Sequence, residues 1–127
     1  MPGTGTTVLY VEDNEEIAFL MKAILEREGF EICHYLNGSD AVAHVHSMAP
    51  SKIVILDIMI PYLDGFQLIR EIRGQASWAD VPILMVSAKS REQDIVQALE
   101  MGANDYVTKP FRPPELLARI RRLLGHN

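Results

Sequence analysis

The sequence has a single cysteine and no long apolar run, and both features limit the classes of protein to which it can belong. Cys33 is the single cysteine among 127 residues, so no intrachain disulfide can form and a reducing compartment is expected. No segment approaches the roughly 18 consecutive apolar residues of a membrane span. The opening residues, MPGTGTTV, lack the charged region and apolar core of a secretory signal. We therefore expect a cytoplasmic protein with no membrane partner.

Positively charged residues are also outnumbered by negatively charged ones. The chain has 12 lysine and arginine residues against 17 aspartate and glutamate residues, which argues against direct binding to nucleic acid. The rest of the composition is ordinary for a globular protein, with 48% apolar and 23% charged residues over a length that fits one domain. We expect residues 1–127 to form a single domain, with residues 1–5 as a flexible terminus.

Five short apolar or β-rich runs alternate with segments of helical periodicity. The predicted strands are residues 6–12, 30–36, 53–57, 81–87 and 105–108. Short connections between alternating strands and helices imply a parallel sheet that is covered on both faces. Because crossovers between parallel strands are right-handed, the pattern predicts a doubly wound α/β fold.

Local signals mark the starts and faces of the helices. Asn14 can cap the first helix, and Asn37-Gly38 is a turn signal. The apolar face of the first helix is predicted to consist of Ile17, Leu20, Met21, Ile24 and Leu25. The last helix is expected to start at Pro113-Pro114, because proline suits the first helical turn.

Residues beyond the carboxyl ends of the strands form a candidate site, because ligands of doubly wound proteins bind there. The polar and charged residues at these ends are Glu12, Asp13, Asp57, Ser87, Thr108 and Lys109. Three carboxylates at one edge would repel each other, and a hard divalent cation such as Mg²⁺ removes that conflict. Asp13 alone could equally be a helix cap, whereas Asp57 follows a buried strand with no capping pattern.

Four segments that contain these residues carry a family resemblance. VLYVEDN, VILDIMIPYLDGF, ILMVSAKS and GANDYVTKPF resemble, in order and spacing, the CheY-like receiver domains of two-component response regulators. The resemblance covers nearly the whole chain and is specific because the separate motifs occur together. It implies a flavodoxin-like, five-stranded parallel sheet with strand order 2-1-3-4-5.

The resemblance also implies a phosphoryl acceptor with a metal ion beside it. Asp57 would take a phosphoryl group from the phosphohistidine of a sensor histidine kinase or a phosphotransfer protein. The Mg²⁺ ligands would be Glu12, Asp13, Asp57 and the backbone carbonyl of Met59. Lys109 would bond a phosphoryl oxygen, and its peptide bond with Pro110 is expected to be cis.

A switch follows from the same resemblance. Ser87 would move towards the phosphoryl group and Tyr106 would rotate with it, changing the face formed by the fourth helix, fifth strand and fifth helix. That face would control an output domain or a partner, and it allows a homodimer. Asp105, Glu115 and Arg119 fit the charge pattern of such dimers.

Two alternative functions compete with a phosphorylated switch that is not an enzyme. A small phosphohydrolase working through an aspartyl-phosphate usually needs a second aspartate two residues after the nucleophile, where this chain has Met59. A flavin carrier needs a phosphate loop after the first strand, where the segment EDNEE would repel phosphate. Met59 beside the acceptor is expected either to hinder water or simply to pack at the rim.

Overall fold

The computed structural model describes residues 5–125 and contains five strands and five α-helices within that range. The strands are β1 Thr7–Val11, β2 Glu31–Tyr35, β3 Ile53–Leu56, β4 Ile83–Ser87 and β5 Asp105–Thr108. The helices are α1 Glu15–Arg27, α2 Gly38–Ser47, α3 Gly65–Gly74, α4 Glu92–Met101 and α5 Pro113–Leu123. The predicted flexible terminus lies, apart from Gly5, outside the described residues.

The strands form one parallel sheet in the order β2-β1-β3-β4-β5, which confirms the predicted fold class and strand order. The central strand β3 is fully buried. Alternate strand residues face opposite sides of the sheet, so two separate cores form. One core contains residues of α2, α3 and α4, and the other contains residues of α1 and α5. No helix in residues 5–125 has both the length and the hydropathy needed to cross a bilayer.

The helix starts follow the local sequence signals: α5 begins at Pro113, as predicted, and two asparagines cap helices. Asn14 caps α1, and its side chain accepts a hydrogen bond from the backbone N–H of Ile17 at 3.0 Å. Asn37 also caps a helix, because its side chain accepts from the N–H of Asp40 at 2.8 Å. At the predicted turn signal Asn37-Gly38, Asn37 is thus the N-cap and Gly38 is the first residue of α2.

The Arg73 side chain connects the segments at the amino-terminal edge of the sheet. The Arg73 guanidinium donates to the backbone carbonyls of Ala79, Val81 and Gly102, and to the side-chain oxygen of Asn104. These acceptors belong to the segments that precede β4 and β5. We expect Arg73→Met to lower the free energy of unfolding by roughly 2–4 kcal/mol, because partly buried acceptors lose a charged donor. Urea unfolding followed by circular dichroism measures this change.

Arg70 provides the control for that measurement, since it is exposed on the same helix. Arg70→Met should change the unfolding free energy by less than about 0.5 kcal/mol. Equal midpoints for the two variants would mean that the Arg73 contacts do not stabilise the fold.

Candidate active site

Four strands end at the same edge of the sheet and place polar or charged side chains there, as the sequence predicts. Glu12 follows β1, Asp57 follows β3, Ser87 ends β4 and Lys109 follows β5. Glu12 is 2% exposed, Asp57 is 6% exposed and Ser87 is fully buried. Buried polar groups at the end of a sheet require partners, so their contacts define the chemistry of the site.

Lys109 joins the two buried carboxylates. Its Nζ atom donates to Glu12 Oε1 at 2.6 Å and to Asp57 Oδ2 at 2.7 Å. The backbone N–H of Lys109 donates to the carbonyl of Ser87 at 2.9 Å, which anchors the residue to the end of β4. The peptide bond between Lys109 and Pro110 is cis, as predicted. One ammonium group is therefore shared by two acids.

The charges at this edge do not balance. Burial raises the pKa of Glu12, although hydrogen bonds from Lys109 and from the backbone of Asn14 act in the opposite direction. Burial lowers the pKa of Lys109, but its bonds to Asp57 and Glu12 outweigh burial and raise it above its usual value. Both raised pKa values are consistent with one ammonium group shared by two buried carboxylates, because a single ammonium cannot fully neutralise the two acids. The site thus has an uncompensated negative charge that a cation would offset.

Backbone groups orient the remaining carboxylate oxygens. The N–H of Met59 donates to Asp57 Oδ1 at 3.1 Å, and the N–H of Asn14 donates to Glu12 Oε2 at 3.1 Å. The start of α3 lies directly against the acceptor, because a Cβ atom on Gly65 would lie 2.3 Å from the carbonyl oxygen of Asp57. Glycine at this position lets the helix approach the loop that follows β3.

The donor set is compatible with Mg²⁺ but is not a preformed cage. Within residues 5–125 no group of three His, Cys, Asp or Glu side chains that could hold a metal is found. Asp13 is exposed and lines, with Met59, a cavity of about 560 Å³ next to the buried pair. Mg²⁺ is usually bound through one or two carboxylates and keeps several waters, so Glu12 and Asp57 with an outer Asp13 fit its chemistry.

Ser87 and Tyr106 both contact the backbone of Lys89. The backbone N–H of Lys89 donates to Ser87 Oγ at 3.3 Å, and the Tyr106 hydroxyl donates to the carbonyl of Lys89 at 2.6 Å. Tyr106 is 9% exposed, and burial raises its pKa. The loop after β4 therefore links the two residues that the sequence predicts to act together.

The charged residues predicted for pairing two copies are bonded within this chain. Arg119 donates to Asp105 at 3.0 Å and to Glu115 at 3.0 Å, and Arg122 donates to Asp105 at 3.0 Å. The hydrogen bonds with Asp105 and Glu115 raise the pKa of Arg119. The three predicted residues thus lie together on α5 and β5.

Sequence reasoning missed His34 as a neighbour of the site. Its Nε2 atom lies 2.8 Å from the carbonyl oxygen of Glu12. The strand order could have indicated this contact, because it lays the second strand beside the first, and the register pairs His34 with Tyr10, two residues before Glu12.

Comparison with known families gives a match over most of the chain. Residues 8–121 match the model of the response regulator receiver domain. The transcriptional regulatory protein GltR of Pseudomonas aeruginosa is 43% identical over 124 residues, covering 98% of this chain and 51% of GltR. The sensory transduction protein RegX3 of Mycobacterium tuberculosis is 43% identical over 119 residues, covering 94% of this chain and 51% of RegX3. The chain spans about half the length of these curated relatives.

Solved structures share the same architecture. A putative response regulator from Chloroflexus aurantiacus superposes with a TM-score of 0.89 and is 30% identical, covering 95% of this chain and 98% of its own. The receiver domain of a Pseudomonas aeruginosa sensor histidine kinase, solved with a magnesium ion in its active site cleft, has a TM-score of 0.87. It is 32% identical and covers 94% of this chain and 98% of its own.

Proposed function

Because this chain belongs to the response regulator receiver domain family, we propose that Asp57 accepts a phosphoryl group from the phosphohistidine of a sensor histidine kinase or phosphotransfer protein. The chain is a signalling switch, and we place its chemical step at this one carboxylate. The observation that carries the assignment is Lys109, whose ammonium lies 2.7 Å from Asp57 and 2.6 Å from Glu12 at the carboxyl edge of the sheet.

The chain's own groups suit an in-line transfer. The Asp57 carboxylate attacks phosphorus, the new P–O bond forms as the P–N bond breaks, and the imidazole leaves. Lys109 compensates the charge on the phosphoryl oxygens, and its two carboxylate bonds hold it at the site. Bound Mg²⁺ would supply further charge compensation, held by Glu12, Asp13, Asp57 and the backbone carbonyl of Met59.

Phosphorylation would then change the contacts of the Lys89 loop. The Ser87 hydroxyl can donate to a phosphoryl oxygen, a contact that exists only in the phosphorylated state, as a population shift requires. Moving an equilibrium from 1:99 to 99:1 needs roughly 5.5 kcal/mol, more than the roughly 1.5–3 kcal/mol of one charge-assisted hydrogen bond. Binding of a partner to the face of α4, β5 and α5 supplies part of the difference in this scheme.

The proposed module works as a switch and not as an enzyme on an external substrate. Residues 1–127 would form one cytoplasmic receiver domain that acts on an output domain or partner, with a homodimer through α4, β5 and α5 as one form of output. It would not bind nucleic acid itself, because several α5 arginines are paired with acids: Arg119 and Arg122 bond Asp105, and Arg121 bonds Glu28. Met59 stands where an aspartyl-phosphate phosphohydrolase would need its acid/base carboxylate.

Magnesium removal provides the test of this function. The native protein is incubated with a small acyl-phosphate donor, once with Mg²⁺ and once with a chelator, and its intact mass is recorded. We expect a gain of one phosphoryl group with Mg²⁺ and little or none with the chelator. No gain in the presence of Mg²⁺, or an equal gain in both samples, would contradict the proposal.

Met59 is expected to prolong the phosphorylated state. Met59 is 58% exposed and lines, with Asp13 and Ile58, a cavity at the loop that follows Asp57, so we expect it to hinder attacking water. Met59→Asn should shorten the phosphoryl lifetime by about threefold or more, because a polar side chain admits and orients water. The lifetime is measured as the loss of phosphoryl mass after the donor is removed.

Tyr62 serves as the control for Met59. It lies in the same loop and is 86% exposed, but it does not line this cavity. Tyr62→Asn should leave the lifetime unchanged. Equal lifetimes in Met59→Asn and the native protein would show that Met59 merely packs at the rim.

A further inference from the structure

His34 links the edge strand β2 to the acidic turn after β1. Its Nε2 atom lies 2.8 Å from the carbonyl oxygen of Glu12. Because a carbonyl oxygen can only accept, Nε2 carries the proton and donates. The N–H of Glu12 donates in turn to the carbonyl of Tyr35 at 3.1 Å. The peptide groups on both sides of Glu12 are therefore held to β2, one residue beyond the end of β1 at Val11.

The His34 ring is itself held in place. It stacks on Tyr10, with ring centroids 5.2 Å apart and an angle of 29° between the planes. Tyr10 is 1% exposed, and it is the register partner of His34 in the β1–β2 pair. A ring that rests on a buried neighbour has few alternative rotamers, so its N–H is aimed at Glu12 before any ligand binds.

The carbonyl that His34 binds belongs to the peptide between Glu12 and Asp13. This peptide joins the two residues, Glu12 and Asp13, whose carboxylates are assigned to the cation, so its rotation would move both side chains. The Glu12 side chain has its own partners, Lys109 and the N–H of Asn14, whereas within residues 5–125 its carbonyl oxygen accepts a hydrogen bond from His34 alone. The imidazole therefore fixes the backbone from which the two acids project.

We propose that His34 is a positioning residue of the acidic site, holding the Glu12–Asp13 turn in the conformation that binds the divalent cation. The inference rests on the proposed function, which assigns that cation to the site. Groups that orient metal ligands without touching the metal typically contribute about 10- to 100-fold to metal affinity. For His34, which acts through the backbone, we expect the lower end of that range.

The test is a Mg²⁺ titration by calorimetry of the native protein and two variants. His34→Leu keeps the bulk of the side chain without a donor, whereas His34→Gln keeps an N–H donor of similar reach. We expect His34→Leu to bind Mg²⁺ about 10-fold more weakly and His34→Gln to remain within about twofold of the native affinity. Exposed His46, paired with Glu71 away from the site, supplies the control variant His46→Leu, which should bind as the native protein does.

A purely structural role would give different urea midpoints for the two His34 variants. The proposed role predicts similar midpoints, because the β1–β2 ladder has five register pairs without this bond. In phosphorylation assays, the Mg²⁺ concentration for half-maximal rate should rise about 10-fold in His34→Leu, with the plateau rate unchanged. Native affinity in His34→Leu, or equal weakening in His34→Gln, would overturn the inference while leaving the proposed function intact. Absence of Mg²⁺ binding by the native protein would overturn both.

Discussion

Asp57→Asn is expected to gain no phosphoryl group under conditions in which the native protein gains one. The amide has nearly the same shape as the carboxylate but lacks the anionic oxygen that attacks phosphorus. Lys109 keeps its bond to Glu12 at 2.6 Å in this variant, so the surrounding edge of the sheet should stay folded. Loss of acceptance would therefore report on chemistry and not on unfolding. Intact mass after incubation with Mg²⁺ and an acyl-phosphate donor measures the outcome.

Asp64 provides the matched control. It lies in the same loop, but its side chain caps α3 and accepts from the N–H of Gln67 at 2.9 Å. Asparagine is also a good helix cap, so Asp64→Asn should fold and accept a phosphoryl group as the native protein does. A phosphoryl gain in Asp57→Asn equal to that in Asp64→Asn would mean that the acceptor is another residue.

Lys109→Met should reduce the initial rate of phosphorylation by about 100-fold or more. The ammonium group, on a side chain that is 12% exposed, is a preorganised donor. Removing one such group from a site that stabilises developing charge commonly costs about 10²- to 10³-fold. Methionine preserves the length and volume of the side chain. The rate is measured by intact mass at saturating Mg²⁺, so that a weaker cation site does not limit it.

The same variant should retain Mg²⁺ binding. Without the ammonium, Glu12 and Asp57 lose their shared partner, and the cation becomes the one source of compensating charge for them among the groups assigned to the site. Lys52→Met, at an exposed position before β3, is the control and should phosphorylate at the native rate. A Lys109→Met rate within about threefold of native would show that this lysine is not part of the transfer machinery.

The carboxyl edge of the sheet could be predicted from the sequence because it follows from the order of elements. Alternating strands and helices place every strand end on one side, so Glu12, Asp57, Ser87 and Lys109 had to converge. The bounds of β5, Asp105–Thr108, agree with the four-residue run DYVT. The cis peptide at Pro110 came from the family resemblance alone.

Details that depend on neighbouring elements could not be read in the same way. Leu20 fits the apolar periodicity of α1 but is 51% exposed, because Ala18, Met21 and Leu25 form the stripe that meets the sheet. Asn37 suits both a turn and a helix cap, and the residues that follow it begin α2. These outcomes depend on which face an element presents to its neighbours.

The position of Asp13 and the contact of His34 show the same limit at the site. Asp13 stands next to Glu12 in the sequence, yet it is exposed while Glu12 is buried, because consecutive residues at a strand end point in different directions. His34 reaches Glu12 across a strand pair, and only the register of β1 and β2 specifies that meeting. The sequence motifs identify the acidic residues of the site but not the groups that position them.

Chemical trapping of the phosphoryl group tests the central claim most directly. Borohydride reduces an aspartyl-phosphate to homoserine, which marks the acceptor permanently and is located by peptide mass spectrometry. After phosphorylation of the native protein with Mg²⁺ present, we predict homoserine at position 57 and at no other acidic residue. Homoserine at position 13 or 64, 2-amino-5-hydroxypentanoic acid (the alcohol of reduced glutamate) at position 12, or a phosphoryl group located on a histidine with position 57 unchanged, would contradict the account.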